Sequence, residues 1–332
     1  MSSTIKEIAK KAKVSIATVS RVLNNDKRVT EKTKDIVLRI SKELNYKPNI
    51  LARNFVKKKS NVIGLILPEI SDEFFTEIIK GVDEVTYTHG YYTMVASSHK
   101  YRTLDESILT FMQNGIVGGM ILLVSSLTNN IKGILDQSKI PIVMISGHNE
   151  TGKYDAVSID NYQGAFDITE YLIVKKEFTK IAHISGPLDN DDALLRKRGF
   201  LDACRKHNLT INNSWIKKGD FTRETGEASF NEFLKMKTMP QIIFAANDMM
   251  ALGCYDAAAK AGIKIPDDIG IAGFDDIFVS KYLSPGLTTV RVQIEEVGKT
   301  AADILMKKIH GRKDHSHPVV RISAQLVIRG SC

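Results

Sequence analysis

Thr4-Ile5-Lys6-Glu7-Ile8-Ala9, a turn at Lys13-Val14, and Ser15-Ile16-Ala17-Thr18-Val19-Ser20-Arg21-Val22-Leu23-Asn24 set the reading of the first domain. Thr4 and Glu7 stand three residues apart at the head of an apolar-periodic run, the spacing of a capping box. Ile5, Ile8, Ala9 and Ala12 follow at helical spacing. Ser15 suits the N-cap of a second helix, in which Val19, Val22 and Leu23 can face the first. That leaves Ile16, Ala17, Thr18, Ser20 and Arg21 pointing outward. A third helix from about Thr30 buries Ile36, Val37, Ile40 and Leu44. Three short helices with an outward-facing second one form a helix-turn-helix, in which that second helix reads the major groove.

The charge lies where such a reader needs it. Residues 1–60 hold sixteen Lys and Arg against five Asp and Glu, a formal +11. The whole chain of 332 residues is +8, so residues 61–332 carry −3. A basic module on a near-neutral body is the footprint of phosphate contacts. The remaining composition, 43% hydrophobic and 25% charged, is that of a soluble globular protein, and the length calls for more than one domain. Cys204, Cys254 and Cys332 are odd in number and far apart, with neither metal spacing nor a disulfide framework. No apolar run has transmembrane length, and the N-terminus reads as a capped helix rather than a signal peptide. The expected setting is cytoplasmic, with no membrane partner.

Beyond residue 60, apolar runs and helix-period segments alternate. Strands are expected at 62–67, 92–96, 119–124, 142–145, 181–184, near Trp215, at 242–245 and at 269–272. Helices are expected at 74–89, 104–113, 163–174, 193–207, 226–235 and 249–261, with one more between 124 and 142. This is the pattern of an α/β body with parallel sheets in two doubly wound lobes, whose ligands bind at the carboxyl ends of the strands.

The head resembles the DNA-binding domain of the lac repressor and galactose repressor family. The likeness is carried by Thr4–Ala9, by Val14-Ser15-x-Ala17-Thr18-Val19-Ser20-Arg21-Val22-Leu23-Asn24, by Leu44-Asn45-Tyr46-Lys47-Pro48-Asn49 and by Leu51-Ala52-Arg53. It implies a helix-turn-helix domain at 1–47, a hinge helix and linker at 48–60, and a two-lobed effector-binding and dimerisation domain of periplasmic-binding-protein type at 61–332. The N-lobe would be about 61–160 and 293–323, the C-lobe about 161–292 and 324–332. Thr4, Ser15, Ile16, Ala17, Thr18, Ser20, Arg21 and Asn24 would meet DNA, joined from the hinge by Asn49, Ala52, Arg53 and Phe55. Phe55 stands where the family wedges a leucine between central base pairs, and phenylalanine also serves as a wedge.

The same resemblance implies an effector site at Phe75, Ser125, Ser146, Asn190, Arg196, Phe221, Asn247 and Asp275. Asp275 can accept two bonds from vicinal hydroxyls, and Arg196 can bond hydroxyls or a carboxylate. Read without the resemblance, Asn247 also fits a helix cap, and Phe75 a core position. Ser146-Gly147 departs from the aspartate-led pair of sugar- and purine-responsive members and Asn190 from the arginine of purine-type members, which argues against a purine; a sugar or sugar derivative is what the resemblance alone implies.

Two other functions are less well served. Gly147–Lys153 has the outline of a phosphate loop, but Tyr154 stands where a Ser or Thr must hold magnesium. His310, His315 and His317 fall in a polar connector without partner ligands. An enzyme or a transport-type sugar-binding protein is thus the weaker reading, and neither cofactor nor metal is expected. The expected function is a transcriptional regulator, a repressor, acting as a homodimer on a near-palindromic double-stranded operator. The chain stops at Arg329-Gly330-Ser331-Cys332 without a leucine-heptad tail, so a dimer rather than a tetramer is expected.

Overall fold

The computed structural model describes residues 4–23, 26, 28–46, 60–98, 103–113, 115–145, 153–311 and 317–332. The chain divides into two compact units, Met1–Ser60 and Asn61–Cys332.

In the first unit, α1 (Ile5–Ala12), α2 (Ile16–Leu23) and α3 (Glu31–Glu43) close around Ile8, Val19, Val22, Val37 and Ile40. Ile36 and Leu44, expected in the core, are only partly buried against it. The capping box forms: Glu7 N donates to Thr4 Oγ1 at 3.4 Å, and Thr4 N donates to Glu7 Oε2 at 3.2 Å. Lys13 turns the chain with φ +52°. Ser15 Oγ accepts from Thr18 N at 3.1 Å and starts α2.

In the second unit a six-stranded sheet runs in the order β11-β5-β4-β3-β1-β2 and is parallel throughout. Its strands are β1 (Val62–Leu67), β2 (Tyr92–Ser97), β3 (Gly119–Leu123), β4 (Ile142–Ile145), β5 (Asp155–Ile159) and β11 (Val319–Ile322). The helices α4 (Glu73–Thr88), α5 (Leu104–Gln113), α6 (Asn129–Leu135) and α11 (Ile294–Ile309) belong to this lobe. β1, β3, β4 and β5 are buried along their whole length, as strands covered on both faces must be.

A four-stranded parallel sheet, in the order β7-β6-β8-β9, forms the second lobe from β6 (Ile181–Ser185), β7 (Ile216–Lys218), β8 (Ile242–Ala245) and β9 (Gly270–Ala272). Its helices are α7 (Asn161–Val174), α8 (Asp191–Lys206), α9 (Arg223–Leu234) and α10 (Asp248–Ala261). α7 and α8 pack at close range because Gly199 carries no Cβ; one placed there would lie 2.3 Å from the Tyr162 carbonyl oxygen. That approach brings Asn161, at the head of α7, against Arg196 of α8.

Chain passages between the lobes run from β5 into α7, from β10 (Thr289–Val292) into α11, and from β11 into β12 (Ala324–Val327). β10 and β12 pair antiparallel. Most helices begin one to three residues before their sequence-predicted starts, because a polar cap opens them: Asn190 caps α8 and Thr222 caps α9. The strand near Trp215 is only Ile216–Lys218, since a 3-10 turn at Asn213–Trp215 takes the preceding residues.

Candidate functional site

On α2, Ser15, Ile16, Ala17 and Arg21 are exposed, Ile16 to 46%. An isoleucine that open to water on an eight-residue helix is not there for the core, which Val19 and Val22 already supply. Thr4 is exposed beside it in sequence order as the cap of α1. Thr18 and Ser20, expected fully outward, are half-buried, and the Thr18 hydroxyl is shared with that of Ser15 at 2.9 Å. Asn24, Asn49, Ala52, Arg53 and Phe55 lie outside the described residues, as does Ser146.

The body holds a cavity of about 740 Å³, including its open mouth. Its walls come from the carboxyl ends of strands: Pro68 and Glu69 after β1, Ser125 after β3, Pro187 after β6, Phe221 after β7, Asn247 after β8 and Asp275 after β9. β1 and β3, and β6 and β8, are the neighbours at which strand order reverses in each sheet. Open α/β sheets place ligands at such points. Seven sequence-predicted residues meet here: Phe75, Ser125, Asn190, Arg196, Phe221, Asn247 and Asp275.

Arg196, 4% exposed, is the hub. Its Nε donates to Asn161 Oδ1 at 2.7 Å and its Nη1 to the Ala246 carbonyl at 2.6 Å. Nη2 stands 3.0 Å from Asp275 Oδ1, and the guanidinium lies 3.9 Å over the Phe274 ring. Asn161 Nδ2 donates onward to Asp192 Oδ1 at 2.7 Å. Burial raises Asp275 to about 7 against the pull of Arg196. Burial likewise raises Asp192 to about 6. Both carboxyls thus exchange protons near neutrality, because a buried charge costs more than one arginine returns.

Two cavity residues sit in left-handed backbone that ordinary side chains avoid: Phe221 at φ +70° and Asp275 at φ +108°. Strain of this kind persists only where surroundings over-determine it, and it clusters at functional sites. Phe221 is held by its carbonyl, which accepts from Asn247 Nδ2 at 3.0 Å, and by Gly186, where a Cβ would lie 2.4 Å from its ring.

Asn247 Oδ1 accepts from Met250 N and Asn190 Oδ1 from Ala193 N, so each caps a helix while lining the cavity. Phe75 is 8% exposed and belongs to the core, with its neighbour Phe74 half-buried beside it in the cavity wall. Sequence reading overlooked Asn161, Asp72, Asp192 and Phe274. Asp72 had a visible signal as the cap of α4, where it accepts from Phe74 N at 3.0 Å. Asn161 and Asp192 are 31 residues apart and show no shared pattern.

Among the described residues, Glu73 and Ser125 each accept a backbone N–H from the other lobe. The Glu73 carboxylate accepts from Phe278 N at 2.7 and 2.8 Å, and the Ser125 carbonyl accepts from Asp191 N at 2.8 Å. Asp248 ties the C-lobe to the crossing strand β10. Its Oδ1 accepts from Thr289 Oγ1, and its Oδ2 from Ser280 Oγ, both at 2.6 Å, while burial raises its pKa to about 8.

Residues 4–49 match the description "Bacterial regulatory proteins, lacI family", and residues 169–332 match "Periplasmic binding protein-like domain". The chain is 33% identical over 330 residues to the HTH-type transcriptional repressor PurR of Histophilus somni, covering 99% of this chain and 98% of that one. The transcriptional regulator CelR in complex with cellobiose superposes with a TM-score of 0.76 at 26% identity, over 99% and 100% of the two chains. The Lac repressor dimer bound to operator and the anti-inducer ONPF has the same fold, with a TM-score of 0.86 at 24% identity over 100% and 99%.

Proposed function

The chain belongs to the lacI family of bacterial regulatory proteins and is a DNA-binding transcriptional regulator; from that premise we propose that it is a repressor whose operator affinity is set by a small molecule, a sugar or sugar derivative, bound between the lobes. The observation that carries this reading is the Asn161–Arg196–Asp275 network, a buried polar constellation opening into a cavity on a chain that also bears an exposed reading helix. A ligand bridging the lobes favours one closure angle over others, and only that differential affinity shifts the equilibrium.

The domain division that fits is a reading head at 1–47, a hinge at 48–60 and a body at 61–332. Ser15, Ile16, Ala17, Thr18, Ser20 and Arg21 face bases or phosphates, with Phe55 as the hinge wedge. The body's cavity residues hold the effector. One eight-residue helix reads too few base pairs for useful specificity, so two heads in a homodimer on a near-palindromic site are required. The protein acts in the cytoplasm and is not an enzyme. Among the described residues no helix is long and apolar enough to cross a membrane.

The test is binding to a selected operator, followed by anisotropy. Arg21→Ala is expected to cost about 1–3 kcal/mol on the specific site and to relax preference at one position per half-site. A binding-site profile that does not change removes Arg21 from base reading.

A further inference from the structure

Among the described residues that line the cavity, Arg196 is the one cation, against the carboxylates of Glu69, Asp72, Asp192, Asp220 and Asp275. Arg196 directs three of its five N–H groups to Asn161, Ala246 and Asp275. Asp220 accepts from Thr222 and Thr225. The Asp275 side chain is 93% buried, and its Oδ1 accepts no hydrogen bond among the described residues beyond the ion pair with Arg196. Asp192 takes one bond from Asn161, and Asp72 takes backbone donors at its own helix start. Asp72 and Asp192 both push on Asp275 electrostatically, so the three carboxyls share one field. Asp275 is buried while Asp72 and Asp192 are half-buried, and among the described lining residues one positive charge faces the three of them.

We propose that the effector supplies the missing charge: it is a small hydroxylated molecule carrying a protonated amine, held by Asp275 and Asp192 with its apolar face against Phe74 and Phe221. This deepens, and rests on, the reading of the cavity as the effector site. An anionic ligand, such as a sugar phosphate or uronate, meets five carboxylates against one arginine that is already ion-paired with Asp275. A neutral polyol satisfies the acceptors and leaves the charge uncompensated. An ammonium does both, because charge-assisted hydrogen bonds to carboxylates are about twice as strong as neutral ones.

The experiment is calorimetric titration of the full chain at pH 7.5 with matched sets on glucose, galactose and ribose, each as parent sugar, free amino sugar, N-acetylated amino sugar and phosphate. At least one free amine is expected to bind about tenfold or more tighter than its N-acetyl and parent partners, the equivalent of one charge-assisted bond. Asp192→Asn is expected to remove about tenfold from that amine and to cost its parent sugar distinctly less, since only the amine loses a charge-assisted bond. A parent sugar or phosphate that binds as tightly as its amine overturns the proposal, and so does a panel in which no amine binds. Operator affinity measured alongside separates this from the effector reading. A neutral sugar that binds and changes operator affinity overturns the charge assignment alone. An amine that binds, is lost in Arg196→Ala, and leaves operator affinity untouched overturns the effector reading alone.

Discussion

On the C-lobe side of the cavity nearly every polar group is tied to another. Arg196 bonds Asn161, Ala246 and Asp275, Asn161 bonds Asp192, and Asn247 holds Phe221. On the N-lobe side the wall is Phe74, Phe75, Leu123 and Val124, with Glu69 and Asp72 at the mouth. Among the described residues, Glu73 and Ser125 reach across. The first face is organised before anything binds, so a ligand meets donors and acceptors already aimed. The second face is an apolar surface that gains by closing. In the proposed effector site the fixed polar groups thus lie on the C-lobe side and the apolar wall on the N-lobe side.

Breaking the organised face has the largest effect. Arg196→Ala leaves Asp275 and Asp192 without their counter-charge and is expected to cost about 3–5 kcal/mol of stability, as removal of one partner of a buried pair does. The loss, read from urea midpoints, is smaller at pH 5.5 than at pH 8, because the abandoned carboxyls neutralise themselves by taking protons. A deficit that does not change with pH means that the charges are not what the arginine serves.

Asp275→Asn sharpens the comparison. It is expected to weaken effector binding by about 2–3 kcal/mol while keeping the fold. The folded carboxyl is raised to about 7, whereas an unfolded aspartate titrates near 4. Between those values the folded state binds the extra proton, so the parent chain loses stability as pH rises and the asparagine variant does not. The variant is expected to gain on the parent from about pH 4 to about pH 7 and then hold a constant difference. A difference in thermal midpoint that is level across that range places Asp275 in contact with solvent.

The smallest effect belongs to the crossing contact. Glu73→Ala removes the acceptor of Phe278 N, which an exposed carboxylate holds for about 0.5–1.5 kcal/mol. It is expected to loosen closure, speeding effector release severalfold with only a small drop in urea midpoint. Release kinetics equal to those of the parent chain confine Glu73 to a surface role.

Much of this was legible in the chain. The capping box at Thr4 and Glu7, the cap at Ser15 and the buried face Ile8-Val19-Val22 are local patterns, and helix geometry converts spacing into faces without help from the rest of the fold. Alternating runs gave β1, β4, β8 and α5 with their observed bounds. Resemblance located Arg196, Phe221 and Asp275, because their motifs are short and continuous. Only the tertiary structure decided what those residues do. That Asn190 and Asn247 spend an oxygen on helix caps, that Phe75 is core while Phe74 shares the wall, and that Asn161 links Arg196 to Asp192 all depend on which helix ends meet. The excess of carboxylates among the described cavity residues is likewise invisible in sequence. Glu69, Asp72, Asp192 and Asp275 are spread over about two hundred residues, and electrostatics acts through distance in space, which parallel strands ending at one edge set to a few ångströms.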